Sequence, residues 1–501
     1  MKTKFIFITG GVYSSLGKGI TSSSIARVLK ELGFSVTMQK LDPYLNVDPE
    51  FISPLQHGEI FITNDGAKSD LDLGNYERFI GHNLNKFCTV TSGVVYKEVI
   101  ENERLGKYDG KTVQVIPHIT NQIIKKIENL CDQENPDFAI VEIGGTVGDI
   151  ESLPFIQAIS EFSYKYGKEN IMFAHCVPLI KVNSVFGELK TKPAQHSVKT
   201  LRSFSISPDL LLLRTEADID QETVDKLSWS CCIDKKNIFV CKDLASTYFL
   251  PEELYKQKIQ ERILDYFKLK VLKDNFANWI EFTKKIRNVK DKVLKIAIVG
   301  EYVDLHDAYF SVCAALNLAS YDLNINLDIV WININDLNKS NINDTFKTIE
   351  AILLTPCDSV EAINNLGFLI NFLSDKTIPT FGYGNVLYNI INFVGNDANI
   401  YQADKEVLGE QTTILDDELL TNLYNGNQLH ERHHHKQEVT IHDLNPQWKI
   451  VGKRDNNIDV IKLLNHPFFY VVNFNPEFNA KPMKSSPLYL ALLRKGMKNE
   501  L

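Results

Sequence analysis

A short apolar run, a glycine- and serine-rich loop and a helix-length segment follow one another at the start of this chain, and that order constrains the fold most. Phe5-Ile6-Phe7-Ile8-Thr9 has the length and composition of a buried strand. Gly10 to Gly19 forms the loop, and Ile20 to Leu32 the helix. Gly33 stands where a helix C-terminal cap is expected, and Phe34 to Met38 begins a second strand. This order opens a parallel α/β sheet, with the loop at the carboxyl edge of the strand, where such sheets bind ligands. The apolar run is too short for a signal-peptide core, and no small-residue cleavage site follows it.

Strand-like and helix-like segments alternate through most of the 501 residues, a length that suits two to three domains. A further buried strand is expected over Phe138-Ala139-Ile140-Val141, ending in Glu142 ahead of Gly144-Gly145-Thr146. Residues 268–295 are charged, helix-prone and free of glycine, and read as a connector. Ile296-Ala297-Ile298-Val299-Gly300 then opens a second α/β domain. The expected division is a domain over 1–267, a linker over 268–295 and a second domain over 296–501.

The net charge is −9, which argues against bulk binding to nucleic acid or an anionic membrane while leaving room for a local basic pocket. No apolar stretch of about 18 residues offers a membrane span. The eight cysteines are scattered, with no Cys-x-x-Cys spacing, which suits buried thiols in a cytoplasmic protein.

Gly11 to Thr21 reads G-V-Y-S-S-L-G-K-G-I-T. Backbone N–H groups of such a loop can cradle phosphates at the positive end of the helix, and Lys18 adds charge. Gly19 follows Lys18, so the hydroxyl that usually holds magnesium after the lysine is missing. Carboxylates must then hold the metal, and Asp70, Asp72 and Glu142 are candidates unless they are ordinary solvated acids.

Seven strings carry a family resemblance: GGVYSSLGKG (10–19), KLDPYLNVDPE (40–50), SPLQHGE (53–59), DLDLGNYERF (70–79), TVQVIPHIT (112–120), VEIGGTVGDIESLPF (141–155) and KTKPAQHSVK (190–199). In this order they resemble the CTP synthases, in which ATP phosphorylates O4 of UTP and ammonia then displaces the phosphate. The resemblance implies a P-loop-type, dethiobiotin-synthetase-like parallel-sheet synthetase domain followed by a class I glutamine-amidotransferase-like α/β domain. It implies that Ser15, Leu16, Gly17, Lys18, Gly19 and Ile20 hold the ATP phosphates, with Lys40 near the transferring group. Asp72 and Glu142 would bind Mg²⁺, and Lys242, Asp243 and Leu244 would border adenine. For UTP the matching positions are Ser14, Asp149, Ile150, Glu151, Lys190, Thr191, Lys192, Pro193, Ala194, Gln195 and Lys226. CTP differs from UTP only at C4, so the same pocket should admit product as a feedback inhibitor. A homotetramer is implied as well. His57 either borders the ammonia route or is a turn histidine.

The second domain keeps the family's framework in GEYVDLHDAYFSV (300–312), ERHHHKQEV (431–439) and HPFFYVVNFNPEF (466–478). Its chemistry is expected to be lost. A class I glutaminase needs a cysteine at a strand-to-helix elbow, a histidine base, a glutamate and an oxyanion loop. Here Gly382-Tyr383-Gly384-Asn385-Val386 puts Gly384 at the nucleophile position, and Asn475-Pro476-Glu477 puts Asn475 at the base, leaving Glu477 alone. Asn cannot accept a proton near neutral pH. The oxyanion loop follows an expected strand, Ala351 to Leu354, and reads Thr355-Pro356-Cys357-Asp358-Ser359, where the proline removes an N–H donor.

Cys357 as a relocated nucleophile and His433-His434-His435 as a metal site are the competing readings of those residues. Against the family it resembles, which has a longer insertion, the chain is short between about Asn396 and Val407, so that family's GTP-responsive segment is poorly matched at Glu406 to Gln411 and GTP activation is not expected to carry over. The expected activity is ammonia-dependent CTP synthesis. A separate glutaminase partner that supplies ammonia, or a non-catalytic assembly subunit, are the alternatives.

Overall fold

The computed structural model of the chain describes residues 2–13, 16–48, 52, 58–181, 189–288, 290–395, 399–440 and 444–498. Ser14, Ser15 and His57 lie outside the described residues. The chain divides into two compact units, Met1–Phe51 with Asn75–Thr283, and Ile52–Gly74 with Lys284–Leu501. Neither unit is contiguous in sequence.

The first unit is built on a seven-stranded parallel sheet, in the order Ile238–Lys242, Leu210–Thr215, Ile171–Pro178, Lys4–Gly10, Phe138–Ile143, Val36–Asp42, Thr89–Thr91. The N-terminal strand is central, and every residue after Lys4 is buried. Helices cover both faces of a parallel sheet, so its strands read as continuous apolar runs rather than alternating ones. Phe5 and Phe7 pack edge-on against Phe162, with ring centroids 4.8 and 5.5 Å apart.

The first helix begins at Lys18, two residues before the expected Ile20, because Gly17 at φ 82° turns the chain directly into it. The next strand starts at Val36 rather than Phe34. Gly33 at φ 91° reverses the chain, and Ser35 is held by hydrogen bonds to Asp137 before the ladder begins. Glu142 does not end its strand, which runs to Ile143; it sits in the ladder opposite Ile8 on one side and Lys40 on the other.

The charged stretch 268–295 is helical only over Phe276–Arg287. Lys268 at φ 55° stops the preceding helix, Ile259–Phe267. Backbone N–H groups of Leu272 and Lys273 then donate to Leu32 O at 3.2 and 3.0 Å, which lays the segment over the end of the first helix. Phe276, Trp279 and Phe282 form a buried stripe at helical spacing. Trp279 is fully buried, stacks near the Arg27 guanidinium at 4.3 Å, and donates from Nε1 to Tyr248 O at 3.0 Å.

The second unit holds a nine-stranded mixed sheet. Asn326–Asn333, Val293–Gly300, Ala351–Leu354, Thr380–Gly382 and Phe469–Val472 run parallel. Asn457–Leu463, Trp448–Arg454, Asn399–Leu415 and Gln428–Thr440 continue it antiparallel. Its first strand starts at Val293, three residues before Ile296, and Ala351–Leu354 falls on the expected residues. Residues from the 52–74 segment pack into this unit: Phe61 meets Phe478 at 5.0 Å, and Arg432 Nη1 donates to Ile62 O at 2.8 Å.

Emptying the Trp279 site leaves a cavity and an orphaned carbonyl, so Trp279→Ala is expected to destabilise the first unit by about 3–5 kcal/mol in urea unfolding. A loss below about 1 kcal/mol would contradict this packing.

Candidate functional site

Lys18 organises the loop of the first unit. Its ammonium donates to Gly145 O at 2.8 Å, and its side chain is drawn across Gly10. A Cβ at Gly10 would lie 2.6 Å from Lys18 Cδ, so only glycine permits that path. Gly11 is needed for a different reason: its Cβ would fall 1.5 Å from Ser197 Oγ. Ser197 Oγ in turn lies 2.8 Å from His175 Nε2, whose Nδ1 is 2.8 Å from Thr9 Oγ1. Burial, then the charge of Lys18, pushes His175 down to about 3, so it stays neutral behind the loop.

Glu142 is buried, and its Oε2 accepts from Tyr76 OH at 2.6 Å and lies 3.0 Å from Ser22 Oγ on the first helix. Lys40 is its neighbour across the ladder, and Lys40 Nζ is 3.6 Å from Asp42 Oδ1. The structure therefore brings Lys18, Lys40 and Glu142 to the carboxyl edge of three central strands. Asp72 lies in the first turn of the helix Leu71–Ile80, and its N–H donates to Asp70 Oδ1 at 3.1 Å.

Beside the loop is a cavity of about 470 Å³. Arg214, which sequence reasoning missed, organises it. Its Nε donates to Leu16 O at 3.0 Å, its Nη1 to Cys241 O at 3.0 Å, and its Nη2 pairs with Asp243. Gly17 suits this place because its φ of 82° is one that side chains rarely adopt, and a Cβ would also sit 3.1 Å from Arg214 Nη2. Lys242 ends its strand and donates to Asp218 Oδ1 at 2.7 Å. Arg214 carries no local motif, and only its place at a strand's carboxyl end could have marked it.

The remaining nucleotide candidates stand apart. Asp149, Ile150 and Glu151 are exposed at a short 3₁₀ turn, with Ile150 83% exposed. Lys190 precedes the helix Lys192–Ser203, Thr191 occupies its N-cap position, Pro193 its first turn, and Gln195 Nε2 donates to Thr191 Oγ1 at 3.0 Å. Lys226 is exposed on the helix Gln221–Cys231.

In the second unit the elbow survives as a backbone. Strand Thr380–Gly382 turns through Gly384 at φ 66° into the helix Val386–Val394. No nucleophile projects from it, and a Cβ at Gly384 would lie 3.1 Å from Pro356 Cγ. Asn475 Nδ2 donates to Glu477 Oε1 at 2.8 Å, and Tyr489 OH to Glu477 Oε2 at 3.3 Å. Burial pushes Glu477 up to about 8, against the Asn475 hydrogen bond, so its carboxyl is mostly protonated at neutral pH. A cavity of about 210 Å³ remains, lined in part by Glu59, Tyr309, Pro356, Tyr383, Asn475 and Glu477.

Cys357 is no substitute nucleophile. It is 1% exposed, and burial raises its thiol to about 12, which keeps it protonated. Its N–H donates to Asn385 Oδ1 at 3.0 Å, and the next two N–H groups, of Asp358 and Ser359, donate to the Glu301 carboxylate at 2.5 and 3.2 Å. Of the three histidines, His433 and His435 are buried on one side of their strand and contact each other, Nδ1 to Nε2, at 2.9 Å. Burial holds both well below their usual pKa, His435 at about 3. His434 instead lies 3.5 Å from Glu406, which also pairs with Lys68 at 2.6 Å. Glu410, in the segment expected to answer GTP, is tied to Asn64 through its backbone and its side chain, both at 2.8 Å. Among the described residues no group of three or more His, Cys, Asp or Glu side chains could hold a metal ion.

Two family models match the chain, the CTP synthase N-terminus over residues 4–269 and the class-I glutamine amidotransferase over residues 304–495. A relative from Ureaplasma parvum serovar 3 is 47% identical, covering 99% of this chain and 97% of its own. The CTP synthase of Phytoplasma australiense is 40% identical over 99% of this chain and 97% of that protein. The CTP synthase of Geobacillus kaustophilus is 39% identical over 99% of this chain and all of that protein. Motifs, sheet order and full-length similarity agree, and the chain belongs to the CTP synthase family.

Proposed function

We propose that this chain is an ammonia-dependent CTP synthase. ATP phosphorylates O4 of UTP, and free ammonia attacks C4 and displaces phosphate, giving CTP, ADP and phosphate. The observation that carries the reading is the pair Gly384 and Asn475: the elbow offers no nucleophile, and the residue in the base position is an amide bonded to Glu477. Losing such a nucleophile and base costs turnover on the order of a million-fold. The synthetase side keeps its cationic and acidic groups, which supports retained catalysis over a purely structural role.

Lys18 and the loop from Ser15 to Ile20 bind the ATP phosphates, and Lys40 stabilises charge at the transferring group. Lys242, Asp243 and Leu244, beside the Arg214 cavity, border adenine. Asp149 to Glu151, Lys190 to Gln195, Ser14 and Lys226 bind UTP, and CTP as feedback inhibitor, within a homotetramer. Glu142 would hold magnesium, whose positive charge offsets the negative charge of the phosphates, and the family resemblance implies Asp72 as a further carboxylate. The fit is chemical: Glu142 is a buried carboxylate oxygen donor beside hydroxyl groups, the hard-oxygen surroundings magnesium prefers. The second unit serves as a structural part of the assembly.

Purified protein should form CTP from UTP, ATP, magnesium and ammonium salt, at an initial rate that rises with pH as ammonium gives way to ammonia. Glutamine should support no CTP formation and release no glutamate. A glutamine-driven rate comparable to the ammonium-driven one would sink the proposal.

Glu477 gives a separate expectation. Its folded pKa of about 8 lies above the 4.5 of a free glutamate side chain, so the folded protein keeps a proton that the unfolded chain releases. Its stabilising contribution is full below pH 4.5 and is lost as pH rises to about 8. Glu477→Gln removes this dependence. At about 1.4 kcal/mol per pH unit, the variant should gain a few kcal/mol on the native chain between pH 5 and pH 8, read as the second unit's melting midpoint. Parallel pH profiles for the two proteins would refute it.

A further inference from the structure

We infer that Glu301 is a third, separate block on glutamine hydrolysis, because its carboxylate occupies the loop amides that an acyl-transfer oxyanion would need beside the Asn385 N–H. The inference rests on the reading that the glutaminase has lost its nucleophile and base, and adds the residue that closes what is left.

An elbow-type site draws its oxyanion donors from the residue after the nucleophile and from an adjacent loop. Here that residue is Asn385, and the adjacent loop is Pro356 to Ser359, with Pro356 Cγ 3.1 Å from where a Cβ of residue 384 would stand. Every donor of this loop is already in use. Pro356 has no N–H, and Cys357 N–H donates to Asn385 Oδ1 at 3.0 Å. Asp358 N–H donates to Glu301 Oε2 at 2.5 Å, and Ser359 N–H is shared between the two Glu301 oxygens at 3.2 and 3.3 Å. Asn385 Nδ2 fastens the loop further, to Cys357 O at 3.2 Å and to Asp358 Oδ1 at 2.7 Å.

The position favours an anion and is filled by one. The two amides precede the fifteen-residue helix Val360–Ser374, whose N-terminal end carries partial positive charge. Burial pushes the Glu301 carboxyl up, but the Ser359 hydroxyl together with the Asp358 and Ser359 amides outweighs it and holds Glu301 below the usual carboxylate range. Glu301 is not needed as the cap, since Ser359 Oγ already accepts from Ala362 N at 3.2 Å. A tetrahedral oxyanion would have to displace a charged carboxylate from two hydrogen bonds, or form beside it and be repelled.

The test uses the full chain in two backgrounds. One carries Gly384→Cys and Asn475→His, and the other adds Glu301→Ala. Labelling by iodoacetamide verifies that the introduced thiol is accessible in both, and glutamate release from glutamine is the readout. Glutamate release should be on the order of a hundredfold faster with Glu301→Ala, the usual effect of an oxyanion donor. Equal rates in the two backgrounds, including no turnover in either, would overturn the inference. If the Glu301→Ala protein does not fold, Glu301→Ser, too short to reach the two amides, takes its place with the same two outcomes. Glutamate release by the unsubstituted chain would instead refute the underlying reading of the second unit.

Discussion

The hydrogen bond from Lys18 to Gly145 O is the contact on which the first unit's site depends. It ties the start of the first helix to the loop after the strand of Glu142, across a glycine that has no side chain to obstruct it. The ladder sets Lys40 and Glu142 side by side on neighbouring strands, and Tyr76 and Ser22 orient the carboxylate. Cationic and acidic groups thus converge at one sheet edge, on rigid elements rather than on a free loop, the arrangement that phosphoryl transfer needs.

On the proposed function, the second unit keeps the amidotransferase fold without its chemistry. The turn at Gly384 needs a left-handed conformation, which glycine adopts more easily than the cysteine an active elbow would carry. Asn475 makes a hydrogen bond that satisfies Glu477, and the neutral carboxyl then sits in a buried site that a charged one would strain. Each of these residues suits local stability. The buried His433–His435 pair belongs to the same economy, with two neutral rings bonded to each other.

Much of this was legible in the sequence because it is local. The opening strand and helix, the glycine at each turn and the elbow frame are carried by consecutive residues with fixed backbone demands. The strand at Ala351–Leu354 was readable to the residue. The buried face of the connector was not legible, because its charges conceal Phe276, Trp279 and Phe282, a buried stripe three residues apart. Arg214 and Glu301 were not legible at all. Arg214 acts on Leu16, and Glu301 acts on Asp358 and Ser359, across distances in sequence that no motif spans. The purposes of Gly10 and Gly11 were likewise hidden, since Lys18 and Ser197 pass them only in the folded chain.

On the proposed function, the nitrogen added to UTP comes from free ammonia and not from glutamine. An isotope competition tests it most directly: glutamine with heavy nitrogen in its amide, unlabelled ammonium, UTP, ATP and magnesium are supplied together, and the mass of the CTP formed is measured. The account predicts CTP carrying only the light nitrogen of ammonium. Heavy nitrogen in the CTP amino group, at a level set by glutamine concentration, would contradict it.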